Sequence, residues 1–164
     1  MKFTIQGGKK LGGEITLGGA KNAATKMLVA SLLTSEPVVL HNTPNIGDVA
    51  ITQELCELVG SSVTRDNNTV TIHTPEIKNT RVISLSRKNR IPVLALGPLL
   101  ARTGEAEIPL LGGDKIGPRP IDMHLEALKE MGATIEKRES SYYAHAKNRL
   151  RGVKIQLRYP SVGA

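Results

Sequence analysis

Aromatic side chains are almost missing from this sequence, which has one Phe, three Tyr and no Trp in 164 residues. A core without large rings has to be filled by Leu, Ile, Val and Ala, and basic stretches without interleaved aromatics offer no stacking platform for bases. Cysteine is scarcer still. The single Cys56 permits no internal disulfide and fits a reducing cytoplasm. It lies between Leu55 and Leu58 and reads as an inert core thiol. No run of about 18 apolar residues occurs, which excludes a transmembrane helix and a membrane partner. The opening MKFTIQGGKKLGG has three apolar residues before its glycines, too few for the apolar region of a signal peptide.

Charge of one sign is in excess: 22 Lys and Arg against 15 Asp and Glu, a net +7. That invites a nucleic-acid reading. The cations are scattered, however, and no zinc-ligand spacing, helix-turn-helix pattern or aromatic RNA-binding signature accompanies them. Small anionic substrates would use the same charge. A hydrophobic content of 40% suffices for one ordinary domain with a real core.

Residues 3–6 (FTIQ) and 14–17 read as short strands and residues 20–33 as a helix rich in helix formers. After Pro37, VVLHN is a strand. Asp48 is placed to cap the helix VAITQELCELV, which Gly60 stops. SSVTRDNNTVTIHT reads as two strands around an Asp-Asn-Asn turn. The order then recurs: strand TRVISL, an apolar helix over 87–102, strand EAEIPLL, loop GGDKIGPRP, helix IDMHLEALKEM stopped by Gly132, and two strands in ATIEKRESSYYAHA. Pro37 and Pro109, Gly60 and Gly132, and His73 and His145 share one offset of 72 residues. With the matching element order, they predict a βαβαββ structural repeat. Gly19-Ala20 returns as Gly163-Ala164 at twice that offset, after a strand VKIQLRY. The expectation is two repeat units, roughly 18–79 and 80–150, and a third begun at 151–164 and truncated.

Four motifs carry a resemblance: Gly18-Gly19-Ala20-Lys21-Asn22, the run ALGPLLAR over 95–102, the loop and helix entry GGDKIGPRPIDMH over 112–124, and Ser161-Val162-Gly163-Ala164. In this order and spacing they resemble the enolpyruvyl transferase family, and the 112–124 stretch resembles its UDP-sugar branch rather than the shikimate 3-phosphate branch. The resemblance implies an α/β (α+β) fold, the inverse α/β barrel built from βαβαββ repeats. Residues 1–17 would belong to a second, mostly absent domain, and 18–164 to a partial catalytic domain. The implied substrates are phosphoenolpyruvate and UDP-N-acetylglucosamine, with no cofactor or metal. The implied partner is the missing C-terminal domain, in cis or as a complementing chain, and the chain alone would be inactive. Lys21, Arg90 and Arg119 would meet the phosphate and carboxylate of phosphoenolpyruvate and neighbouring anions. Asn22 would hold the sugar hydroxyl side. Arg119, Pro120, Ile121, Asp122, Met123 and His124 would line the nucleotide with Ser161, Val162 and Gly163. Asp114 stands where most members of the family carry cysteine, and would be the general acid toward the methylene carbon of phosphoenolpyruvate. Fosfomycin, which alkylates that cysteine, would then have nothing to label.

The residues themselves agree with such chemistry. Helix starts at Ala20, Pro120 and Gly163 follow small or glycine-bearing turns, and helix N-termini offer free N–H groups and partial positive charge to anions. Each side chain also has a plainer reading. Lys21 is a solvated first-turn lysine, and Arg90 a surface charge beside Arg87 and Lys88. Arg119 before Pro120 is an ordinary helix entry. Asp122 is a first-turn acid complementing the dipole, His124 a helix-surface histidine, and Asp114 a loop aspartate in a glycine-rich turn. His41, His73 and His145 fall on expected strands with no second ligand and read as structural. Ile91-Pro92 replaces the small pair that the family often has after Arg90, which bears on where that helix begins. A UDP-sugar-binding homologue without catalysis and a basic nucleic-acid-binding module stand as the other readings.

Overall fold

The computed structural model describes residues 2–86, 90–110, 112 and 120–161. Helix α1 (Lys21–Ala30) runs into a 3₁₀ turn (Ser31–Leu33) and is followed by β1 (Val38–Leu40), α2 (Gly47–Val59), β2 (Ser62–Asp66) and β3 (Thr69–His73). A 3₁₀ turn (Ile91–Ala95) continues as α3 (Leu96–Thr103), followed by β4 (Glu105–Pro109), α4 (Asp122–Glu130), β5 (Thr134–Lys137) and β6 (Ser141–His145). Each unit ends in an antiparallel three-stranded sheet, ordered β1-β3-β2 and β4-β6-β5. The last strand is central in both, because a tight hairpin pairs it with one neighbour and leaves its other edge for the first strand of the unit.

Local chemistry explains the recurrence. Thr52, Leu55, Cys56 and Val59 bury one stripe of α2 at helical spacing. Gly60 then adopts φ 116°, a left-handed conformation that lets Ser61 N–H reach Cys56 O at 3.0 Å and close the helix. Gly132 repeats this at φ 105°, with Ala133 N–H on Leu128 O at 3.0 Å. The first hairpin turns at Asn67, φ 50°, a conformation asparagine tolerates. Its register, Ser62 opposite His73, recurs as Thr134 opposite His145 at the predicted offset.

The core is aliphatic, as the scarcity of rings requires. Leu28, Leu32, Leu55, Val59, Val70, Ile72, Leu96, Leu99, Leu100 and Ile108 form one cluster across both units. Each buried side chain of this size contributes roughly 1.5–3 kcal/mol. Cys56 lies within it. Burial first, and then the charge of Glu57, pushes its thiol up to about 12, so it stays protonated and inert. Arg102 joins the units, donating to Leu32 O, Thr34 O, Thr74 O and Pro75 O at 2.8–3.3 Å. It satisfies carbonyls where the first helix and the first sheet end.

Several sequence expectations are corrected. Residues 3–6, 14–17 and 153–159 are not strands. Phe3, Ile5, Ile15 and Leu17 are 77–89% exposed, and no described segment pairs with them. Alternation alone makes no strand where no ladder partner is within reach. TRVISL contributes only a parallel bridge, Arg81 to Glu107, with Val82 N–H on Glu107 O at 2.8 Å. Asp48 is not the cap of α2: Ile46 takes that place, and Asp48 lies in the first turn. The expected helix over 87–102 begins as a 3₁₀ turn with Pro92 near its start, and residues 87–89 lie outside the described part. Pro37 and Pro109 are not equivalent either. Val38 faces Ile72, while Ala106 faces Ala144, so the first strands match at a shorter offset. The difference returns in the loop before the second helix of each unit.

Candidate active site

The GGAKN motif begins at a steric constraint. A Cβ on Gly19 would lie 1.7 Å from the backbone oxygen of Asn42, so only glycine lets the chain pass the 42–44 loop there. Ala20 is extended and opens α1 with no side-chain cap. The first residue of the helix, Lys21, places Nζ 3.0 Å from Asp48 Oδ2 in the first turn of α2. Both side chains are about half exposed, so solvent screens the pair and Lys21 can be drawn to an incoming anion at little cost. Asn22 stands exposed beside it.

A second cluster forms at the start of α4. Arg90 precedes the 3₁₀ turn Ile91–Ala95, whose Ile91, Pro92 and Val93 are buried. Its guanidinium donates to Pro120 O at 3.3 Å across thirty residues of sequence. Arg90 and Pro120, two of the expected contact residues, are thereby brought together. Ile121 and Met123 are 6% and 7% exposed and are committed to packing. His124 sits near Arg90. Burial, and then the Arg90 charge, holds its imidazole below the ordinary 6.5, so it is neutral at pH 7. Asp122 is paired with Arg158, which also approaches Glu126 at 3.7 Å. That hydrogen bond is the main reason the Asp122 carboxyl lies below its ordinary value. Ser161 is half-buried at the end of the described chain. Asp114, Arg119, Val162 and Gly163 lie outside the described residues.

Two groups escaped sequence reading. Asp48 looked like a cap but is the partner of Lys21, and only the packing of α1 on α2 brings them together. Arg158 lies in the run VKIQLRY, read only as a strand, and its pairing with Asp122 was not foreseen. Among the described residues, no group of three His, Cys, Asp or Glu could hold a metal ion, and no helix is long and apolar enough to cross a membrane.

Residues 5–164 match the family EPSP synthase (3-phosphoshikimate 1-carboxyvinyltransferase). The chain belongs to this family. Among its curated relatives, the UDP-N-acetylglucosamine 1-carboxyvinyltransferase of Chlamydia pneumoniae is 50% identical over 159 residues, covering 94% of this chain and 35% of the relative. The enzyme of the same name from Protochlamydia amoebophila is 47% identical over 168 residues, covering 98% and 36%. The chain thus spans about a third of the length of the relatives it matches. Its fold is that of the enolpyruvyl transferase NikO from Streptomyces tendae, with a TM-score of 0.70 at 21% identity over 87% of this chain and 32% of that one. EPSP synthase from Acinetobacter baumannii gives a TM-score of 0.65 at 18% identity, over 92% of this chain and 35% of that one. The expected α/β enolpyruvyl transferase fold is therefore present in this EPSP synthase family member.

Proposed function

We propose that the full-length protein carrying this chain transfers the enolpyruvyl group of phosphoenolpyruvate to the 3-hydroxyl of UDP-N-acetylglucosamine, releasing phosphate at the first committed step of peptidoglycan synthesis in the cytoplasm. The observation that carries this reading is Arg90 reaching Pro120 at the foot of the 112–120 loop, with neutral His124 beside it. That contact brings a cation to the start of α4, where an anionic substrate would sit. The names and identities of the chlamydial relatives support the choice of acceptor.

In this reading Lys21, Arg90 and Arg119 neutralise the phosphate and carboxylate of phosphoenolpyruvate, and Lys21 exchanges Asp48 for the substrate. Asp114 protonates the methylene carbon as the sugar oxygen, giving its proton to a base outside this chain, bonds to the neighbouring carbon. Phosphate then leaves as the new methyl group loses a proton and the double bond reforms. Asn22 orients the sugar hydroxyl. Pro120, Ile121, Asp122, Met123, His124, Ser161, Val162 and Gly163 line the nucleotide. Residues 18–164 form part of the catalytic domain. Residues 1–17 pair with a second domain, a role supported by the 77–89% exposure of Phe3, Ile5, Ile15 and Leu17.

Phosphate release from the full-length protein tests the reading. It should require both phosphoenolpyruvate and UDP-N-acetylglucosamine, and the 164-residue chain alone should give none. Release with shikimate 3-phosphate in place of the sugar nucleotide would overturn the choice of acceptor. A fosfomycin adduct on the 112–120 peptide would overturn the role given to Asp114.

A further inference from the structure

On α2, nearly two turns beyond Asp48, the half-buried Glu54 grips Ser86 with both carboxylate oxygens. Oε1 accepts the Ser86 backbone N–H at 2.7 Å, and Oε2 accepts its Oγ–H at 2.6 Å. Such charge-assisted bonds are stronger than neutral ones. Ser86 stands four residues before Arg90, and that length of chain reaches at most roughly 14 Å. Beyond Arg90 the backbone is held by buried Ile91, Pro92 and Val93. Arg90 therefore lies within reach of two anchored points, Ser86 on Glu54 and Ile91 in the core. The same helix carries Asp48, which holds Lys21. One element thus contacts both Lys21 and the chain four residues before Arg90.

We propose that Glu54 is a positioning residue for phosphoenolpyruvate binding, holding through Ser86 the chain that presents Arg90 to the foot of the 112–120 loop. The proposal rests on the enolpyruvyl transfer reading. The Glu54–Ser86 bonds are solvent-exposed, so water replaces them when the carboxylate is removed, and the fold loses little. What is lost is the restraint on the approach to Arg90. A group that served stability alone would behave in the opposite way.

The test is a double-mutant cycle in the full-length protein, read as KM for phosphoenolpyruvate. Glu54→Ala should raise KM about fivefold with kcat nearly unchanged, a coupling of ordinary size for residues acting as one unit. Added to Arg90→Ala, it should produce no further rise. Glu54→Gln, whose amide can accept from Ser86 N–H and donate to its Oγ, should restore most of the affinity. Ser86→Ala keeps the backbone bond and should give a smaller rise, which also serves if Glu54→Ala folds poorly. An unchanged KM in Glu54→Ala and Ser86→Ala, or a rise that multiplies with that of Arg90→Ala, would overturn the proposal. A wild-type protein without turnover overturns the function reading alone. The same cycle is then scored on the equilibrium affinity for phosphoenolpyruvate, and absence of binding overturns both.

Discussion

The two repeat units share helix closures and hairpin register but treat one loop differently. In the first unit, residues 41–46 join β1 to α2. In the second, residues 110–121 make the same connection and are twice as long. The short loop is stapled. Thr43 N–H donates to Asn68 O at 2.7 Å, and Arg65 donates to Thr43 O at 3.1 Å and to Pro44 O at 3.5 Å. At the equivalent place in the second hairpin stands Lys137, which lacks a planar fork to hold two carbonyls. The neighbouring Arg138 instead turns to Glu107, at 3.3 Å, and lies over the Tyr143 ring at 4.0 Å. The unit that leaves its loop long is the one whose loop bears the GGDKIGPRP motif. Duplicated units divide labour by loop chemistry while the scaffold stays the same.

The comparison breaks most severely at the constraint that the first unit imposes on GGAKN. Gly19→Val puts a branched side chain onto the Asn42 carbonyl and should cost about 3 kcal/mol by overpacking against backbone that cannot yield. Thermal unfolding should show the loss, and a variant as stable as wild type would mean that Gly19 is not confined there. Next comes the seam. Arg102→Ala strands four carbonyls from the first unit and should cost about 2 kcal/mol, since hydrogen bonds from a charged donor exceed neutral ones. Urea titration would detect it as a lowered midpoint.

The second unit has its own polar anchor in Glu107, 7% exposed, bonded to Ser141 Oγ at 2.6 Å and Arg81 at 2.9 Å. The Ser141 hydroxyl first, and then the charges of Arg81 and Arg138, hold its carboxyl below the ordinary 4.5. The unfolded chain therefore takes up a proton before the folded one does. The stability this group contributes is present above pH 4.5 and fades as pH falls through the lower folded value. Glu107→Gln should cost about 1 kcal/mol at neutral pH, because the exposed arginines are screened, and should flatten the acid limb. An acid limb identical to that of wild type would assign the pH dependence elsewhere. The smallest effect sharpens the contrast between the loops. Arg65→Lys should lower stability by about 0.5 kcal/mol and speed amide exchange at Thr43. Unchanged exchange would show that the Asn68 carbonyl alone holds it.

Much of this architecture was legible along the chain. Gly60 and Gly132 marked helix ends because a left-handed residue there is a local requirement, and the Asn67 turn and its hairpin follow from equally local chemistry. Burial of Cys56 followed from its helical spacing. The terminal strands misled because alternation records only a tendency, and pairing depends on a partner elsewhere. The repeat was real, but the Pro37–Pro109 match was fortuitous, since a loop-length change ahead of the second helix is invisible to a fixed offset. Of the candidate site, the family resemblance named Lys21, Arg90 and His124, but not the company they keep.

By itself, the sequence determined the aliphatic core through its composition, the duplicated unit through its repeated offset, and the helix stops through neighbours a few positions away. Tertiary structure alone decided that Asp48 holds Lys21, that Arg90 reaches Pro120, that Arg102 seams the units and that Glu54 grips Ser86. Those contacts join residues 27 to 70 positions apart in the chain. Only the packing of helices against two sheets brings such groups within hydrogen-bond reach, and no local preference encodes which of them meet.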